Sequence, residues 1–157
     1  MTTNSNRRIF LKGTLTATLV GAAVGSGLLK PGRVLAAWPK EAFSAKDFKV
    51  AVKDAMGGEP TPSKDITVKA PDIAENGAVV PVTVESSLKN VESIAIVVEQ
   101  NPTPLAAVFN LGPTTEANIS TRIKMGKTSN VLAVVKADGK LYSAAKEVKV
   151  TIGGCGG

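Results

Sequence analysis

The sequence predicts an all-β protein, an immunoglobulin-like antiparallel sandwich of about seven strands with a short N-terminal helix and a flexible C-terminal arm. Apolar residues alternate with polar ones through most of the chain after residue 65, and turn-forming residues separate these runs at short intervals. A helical period of apolar residues is confined to residues 38–58. The chain is 157 residues long, which is sufficient for one domain with its own core even after removal of an export signal.

The N-terminal segment predicts export by the twin-arginine pathway. Arg7 and Arg8 are followed by Ile-Phe-Leu-Lys and then by an uncharged, apolar run over residues 13–29. We expect residues 1–36 to be a signal peptide, cleaved after Ala36 or alternatively after Ala37. The uncharged run is at the short limit for a membrane-spanning helix, so we expect a periplasmic protein without a membrane anchor.

Removal of this segment changes the charge of the protein. The chain has 19 basic and 13 acidic residues, and five of the basic residues but none of the acidic ones precede residue 37. The mature chain is therefore nearly neutral, with 14 basic against 13 acidic residues. Together with one Trp and one Tyr, this balance predicts no nucleic-acid partner.

The short helix is predicted between Trp38 and Gly58. Ser44 followed by Asp47 suggests a capping box, in which each side chain accepts a hydrogen bond from a free backbone amide. The residues predicted on its apolar face are Phe48, Ala51, Val52, Ala55 and Met56. Gly57 and Gly58 are expected to end the helix, because glycine adopts the left-handed closing conformation easily.

The strands are predicted from alternation, with one face buried and the other in water. The positions expected to be buried are Ile66, Val68; Val80, Val82, Val84; Ile94, Ile96, Val98; Ile119, Thr121, Ile123; Val131, Ala133, Val135; and Val148, Val150, Ile152. Asp138-Gly139 predicts a tight hairpin turn. Pro81 predicts an edge strand or a bulge, because proline lacks the amide that a central strand uses.

The chain after Ile152 reads Gly153-Gly154-Cys155-Gly156-Gly157, and we interpret residues 153–157 as a mobile arm that follows a domain of residues 37–152. Cys155 is the only cysteine, so it has no partner for an intramolecular disulfide. Because the flanking glycines have no side chains, we expect the segment around Cys155 to be narrow enough to enter a narrow pocket. No neighbouring cation or helix N-terminus is expected to activate the thiol, so its chemistry would be performed by other proteins.

Two interpretations of Cys155 follow from these residues. In the first, the thiol covalently carries a chemical group for partner enzymes. In the second, the protein is a structural exported subunit and Cys155 only forms an intermolecular disulfide. A thiol enzyme is a weaker alternative, because no general base is identifiable beside the cysteine.

The glycine-flanked cysteine, the twin-arginine signal and residues 101–109 (Asn-Pro-Thr-Pro-Leu-Ala-Ala-Val-Phe) together resemble the SoxY family, sulfur carriers of bacterial thiosulfate oxidation. The resemblance implies a non-catalytic carrier that pairs with a SoxZ-like subunit. It implies that a SoxAX-like c-type cytochrome joins thiosulfate to Cys155 as an S-thiosulfonate and that a SoxB-like thiosulfohydrolase releases sulfate. A SoxCD-like sulfur dehydrogenase then oxidises the remaining persulfide, or other acceptors receive the sulfur.

Other candidate sites are weak. The chain has no histidine, which removes the commonest general base and the usual transition-metal ligand, so no cofactor or metal is expected. Met56 is expected in the core, and Met125 in the core or a turn. The acidic side chains near residues 65–75 are too scattered to predict a calcium site. Residues 101–104 are predicted to form a rigid turn, with partner contact as the alternative.

Overall fold

The computed structural model describes residues 40–152, which lie within one compact unit of the chain. Their architecture has three layers: two short helices, a six-stranded sheet and a three-stranded sheet. The sheets enclose the main hydrophobic core, and the helices cover the other face of the larger sheet. The predicted all-β, immunoglobulin-like class with a short N-terminal helical region is therefore confirmed.

The described residues contain nine strands, of which seven have four or more residues and two have only two. The strands are β1 (Thr61–Pro62), β2 (Ile66–Lys69), β3 (Ile73–Ala74), β4 (Val80–Ser86), β5 (Val91–Val98), β6 (Leu105–Asn110), β7 (Asn118–Ile123), β8 (Ser129–Ala137) and β9 (Lys140–Val150). The seven longer strands correspond in number to the sequence prediction.

The helical region is divided in two, α1 (Lys40–Ser44) and α2 (Phe48–Met56). The predicted capping box at Ser44 is wrong, because Ser44 lies inside α1 and its hydroxyl donates to the Lys40 carbonyl. Asp47 is the N-cap of α2 and accepts hydrogen bonds from the amides of Lys49 and Val50. The glycine ending is confirmed, since Gly57 has φ 89° and donates to the Lys53 carbonyl.

The larger sheet has the order β1-β9-β8-β5-β6, and β3 also pairs with β9. β1 and β3 are both parallel to β9, β1 near its start at Tyr142–Ser143 and β3 at its end opposite Lys149 and Val150. The tight turn between β8 and β9 is confirmed, with Asp138 at φ 49° and Gly139 at φ 71°.

The smaller sheet has the order β2-β4-β7, so β4 is its central strand. The edge-strand interpretation of Pro81 therefore does not hold for β4 as a whole. Pro81 pairs with Arg122 of β7, whereas the pairing with β2 ends at Thr83 opposite Lys69. At Pro81 the β2 side of the strand is locally free, which allows proline in a central strand.

Most positions predicted to be buried form the core between the sheets, including Val80, Ile94, Ile96, Val131 and Val148, each 0% exposed. Two aspects of the alternation prediction are wrong. β5 is buried on both faces, because Ala95 and Val97 pack against the helices in a second cluster. Ile152 is 64% exposed, because it lies past the end of β9 and beyond the rim of the core.

Candidate functional site

The end of β9 is where the predicted arm leaves the sandwich, and hydrogen bonds to neighbouring segments hold it there. The Val150 amide donates to the Thr128 hydroxyl over 2.9 Å. The Thr151 amide donates to the Ala74 carbonyl over 3.1 Å, and the Ile152 carbonyl accepts from the Gly77 amide over 2.8 Å. The chain is therefore fixed up to its last described residue.

Three segments meet at this point, residues 72–79, 124–128 and 149–152, which are here called the arm base. The Gly77 amide bonds to Ile152, and the Gly77 carbonyl accepts from the Met125 amide over 2.7 Å. The Thr151 hydroxyl also donates to the Glu75 carbonyl over 3.2 Å. Gly77 is buried where these segments cross, and it links both sheets to the exit of the chain.

The predicted site residues themselves lie outside the described residues. Cys155 and its neighbours Gly153, Gly154, Gly156 and Gly157 follow the last described position, and Arg7 and Arg8 of the predicted signal peptide precede the first. The structure thus shows where the chain leading to Cys155 starts, and the role of the cysteine stays a prediction. Trp38 is also outside the described part.

The arm base presents large apolar side chains to solvent. Four large hydrophobic residues are exposed among those described: Val50 at 49%, Ile73 at 58%, Val79 at 54% and Ile152 at 64%. Three of these four belong to the arm base, while Val50 lies on α2. Sequence reasoning missed this grouping, because Ile73 and Val79 are far from Ile152 along the chain and only the fold joins them.

The electrostatic character of the arm base is positive. Lys124, Lys127 and Lys149 are exposed and form no ion pair within the described residues. The acidic residues of these segments are Asp72 and Glu75. The Asp72 carboxylate lies 3.0 Å from the Lys146 ammonium, so Glu75 is the acidic residue left without an ion pair among the described residues.

The Asn-Pro-Thr-Pro segment forms the turn between β5 and β6, as predicted. The Asn101 amide group donates to the Lys124 carbonyl over 2.7 Å, and its oxygen accepts from the Gly126 amide over 2.9 Å. Asn101 therefore ties this turn to the connection between β7 and β8. This structural role accounts for the asparagine, and partner contact at the segment stays untested.

A titratable group with a shifted pKa lies at the opposite end of the sandwich. The Gly139 amide donates to the Glu92 carboxylate over 3.0 Å, and Lys136 lies 3.2 Å from its other oxygen. The Gly139 hydrogen bond first, and then Lys136, hold the pKa of Glu92 below its usual 4.5. The carboxylate fastens the β8–β9 turn to β5 and is far from the arm base.

The rest of the described part offers little for binding chemistry. An open hollow of about 710 Å³ lies between the β6–β7 loop and the start of β5, and another of about 480 Å³ lies beside residues 101–107. Within residues 40–152, no group of three or more acidic residues or cysteines is placed to hold a metal ion. None of the described helices is long and apolar enough to cross a membrane.

Comparisons with known proteins identify relatives. The family described as "Sulfur oxidation protein SoxY" matches residues 52–155. The solved structure of the sulfur carrier protein SoxY from Chlorobium limicola f. thiosulfatophilum shares 46% identity, with a TM-score of 0.59 over 65% of this chain and 94% of that chain. A superoxide reductase (neelaredoxin) from Ignicoccus hospitalis shares 18% identity, with a TM-score of 0.49 over 54% of this chain and 79% of that chain. Comparison with curated protein sequences gives no match.

Proposed function

This chain belongs to the SoxY family of sulfur oxidation proteins, and on that premise we propose that it is a periplasmic sulfur carrier whose Cys155 covalently binds thiosulfate-derived groups. The observation that carries the proposal is that the family match runs through to Cys155. The 46% identical relative, described as a sulfur carrier protein, supports the same role. Cys155 is the only thiol in the chain on which such a group could reside.

The proposed loading step forms a sulfur–sulfur bond. The Cys155 thiol and thiosulfate give a cysteine S-thiosulfonate, with release of one proton and two electrons to a c-type cytochrome complex that resembles SoxAX. Water then cleaves the terminal sulfonate in a SoxB-like thiosulfohydrolase, which yields sulfate, a proton and a cysteine persulfide. A SoxCD-like dehydrogenase then oxidises the outer persulfide sulfur to a sulfonate with three water molecules, and seven protons are released while six electrons pass to a c-type cytochrome. A second hydrolysis releases this sulfonate as sulfate and a proton, which restores the thiol.

In this cycle the protein is a scaffold for the substrate, and partner enzymes perform the catalysis. The sequence contains no histidine to serve as general base beside the thiol. The hydrogen bonds that fix Thr151 and Ile152 give the arm a firm origin, so its start is the same in each enzyme complex. A SoxZ-like subunit is proposed as the stable partner, with export directed by Arg7 and Arg8.

The test is the intact mass of the mature protein, purified from thiosulfate-grown cells and measured before and after treatment with a thiol reductant. We expect reductant-labile additions of sulfur, sulfonate or thiosulfonate that peptide mapping assigns to Cys155. The unmodified mass also identifies cleavage after Ala36 or Ala37.

A Cys155→Ser variant is the matched control, and we expect it to lose every adduct and all thiosulfate-dependent activity while it remains folded. The opposite result is that the wild type, with the partner and the oxidase present, contains only the free thiol and a plain disulfide dimer. That result would support the alternative in which the protein is a structural subunit and Cys155 only forms an intermolecular disulfide.

A further inference from the structure

The chain leading to Cys155 is short. The cysteine is three residues beyond Ile152, and three residues span roughly 10 Å at most. An enzyme that receives this thiol in a pocket must therefore bring the surface around that pocket close to Ile152. Whatever surrounds Ile152 is then part of the contact between the two proteins.

Two exposed apolar residues of the arm base are joined to this exit by strand pairing or hydrogen bonding of their segments. Ile73 is opposite Lys149 in the β3–β9 pairing, and Lys149 precedes Ile152 by three residues in the chain, which span roughly 10 Å at most. Val79 is two residues from Gly77, whose amide donates to the Ile152 carbonyl over 2.8 Å. The two side chains thus flank the exit on different segments.

We propose that Ile73, Val79 and Ile152, with Lys127 and Lys149, form the docking surface for the enzyme that joins thiosulfate to Cys155. The inference rests on the proposed carrier function. The matching enzyme surface is apolar around the mouth of its pocket and carries acidic groups where it faces the two lysines. Each isolated contact is small, so the complex is transient and its formation depends on ionic strength.

The concentration of exposed apolar residues on the segments of the arm base is the feature that supports this assignment. Scattered single apolar residues are normal on a protein surface, whereas grouped ones mark interaction sites. Three of the four exposed large hydrophobics among the described residues belong to the arm base. The unpaired lysines on the same segments add a charge that steers an acidic surface toward the exit.

The experiment uses the mature protein with its partner subunit and measures the rate at which the thiosulfate-conjugating cytochrome complex modifies Cys155. Thiosulfate and an electron acceptor are supplied, and intact mass follows the adduct. We expect the double variant Ile73→Ser, Val79→Ser to lower kcat/KM about tenfold, which corresponds to about 1.4 kcal/mol of lost contact. Val50→Ser, an exposed apolar residue on α2, is the matched control and should leave the rate unchanged.

A double charge-reversal variant tests whether Lys127 and Lys149 contribute to docking. Lys127→Glu with Lys149→Glu should lower the enzyme-dependent rate and abolish its decline with added salt, while Lys89→Glu, an exposed lysine elsewhere, should do neither. Alkylation of Cys155 by iodoacetamide without enzyme should be the same in all variants, because a small reagent needs no docking. Equal alkylation and equal thermal unfolding show that a slow variant is folded and has an accessible thiol.

The outcomes separate the two proposals. If wild type acquires the adduct and the arm-base variants acquire it at the same rate, the docking surface is wrong and the carrier function stands. If wild type acquires no adduct with enzyme, thiosulfate and acceptor present, the carrier function fails and the docking surface fails with it. A rate loss in Val50→Ser as large as that in the arm-base variant also overturns the docking surface.

Discussion

The two sheets share one core but differ on their outer faces. The outer face of the larger sheet is dry where the helices cover it, and Val97 and Val134 there are 0% exposed. The outer face of the smaller sheet is wet, with a 3.0 Å hydrogen bond between the Thr83 and Ser120 hydroxyls and an exposed Arg122. Strands of the same sandwich therefore experience different environments on their outward side.

This difference shows which part of the fold is the rigid frame. β5 and β8 contribute apolar side chains to both hydrophobic clusters, so they gain burial energy on two faces, whereas β4 and β7 gain it on one. β9 pairs with the whole length of β8, from Lys140 opposite Ala137 to Val148 opposite Ser129, and its last two residues pair with β3. The strand that leads to the arm base is thus held by the better-buried sheet.

The largest expected effect comes from placing a charge on each outer face. Val97→Asp should destabilise the protein by about 3 kcal/mol or more, because it buries a carboxylate without a partner beneath the helices. Thr83→Asp should cost about 1 kcal/mol or less, since the side chain lies half-exposed on the outer face opposite Lys69. Urea unfolding followed by circular dichroism compares them, and equal losses would remove the distinction between the faces.

A smaller effect is expected from loosening the helical cover. Asp47→Ala removes the side chain that accepts from the Lys49 and Val50 amides, at 2.9 and 3.1 Å. We expect a loss of about 1 kcal/mol in the free energy of unfolding. Asp54→Ala makes the same change within α2 without touching the cap and should be neutral or slightly stabilising. If both variants have the same unfolding midpoint, the Asp47 cap does not stabilise the helices that cover the larger sheet.

The smallest effect concerns an exposed group on β5. Because the folded-state pKa of Glu92 is lowered by the Gly139 hydrogen bond and by Lys136, its ionised form favours the folded state at pH above 4.5. That contribution is lost as the pH falls through the folded-state pKa. The melting temperature of Glu92→Gln should therefore be slightly below that of the wild type at pH 7 and equal to it at about pH 2. A melting difference independent of pH would contradict this assignment.

Sequence alone predicted the fold class, because period-two alternation and the Asp138-Gly139 turn are local signals. It did not predict the two dry faces of β5, since burial of Ala95 and Val97 depends on helices that are remote in sequence. Ser44 and Asp47 are both residue types that cap helices, and the structure has Asp47 as the N-cap while Ser44 ends the preceding helix. Ile152 matched the alternation pattern, yet the core ends before it.

For the candidate site, the sequence identifies the residue on which the proposed chemistry depends, and the role of that residue stays a prediction. The glycine-flanked Cys155 is visible in the sequence, and its position three residues after Ile152 follows from counting. The surroundings of the exit were not predictable, because Ile73 and Val79 reach it through the parallel β3–β9 pairing and the Gly77 hydrogen bonds. Parallel pairing of two-residue strands has no recognisable sequence pattern.

The hydrogen bonds that hold Ile152 also limit the space that a thiol on this chain can search. A cysteine confined to within roughly 10 Å of a fixed point occupies a sphere of about 4,000 Å³, which is a local concentration on the order of 0.1 to 1 M. A docked enzyme would meet its substrate at that concentration, whatever the amount of carrier in the compartment. Fraying the end of β9 would lengthen the reach of the thiol, and the volume of the sphere grows as the cube of the total reach.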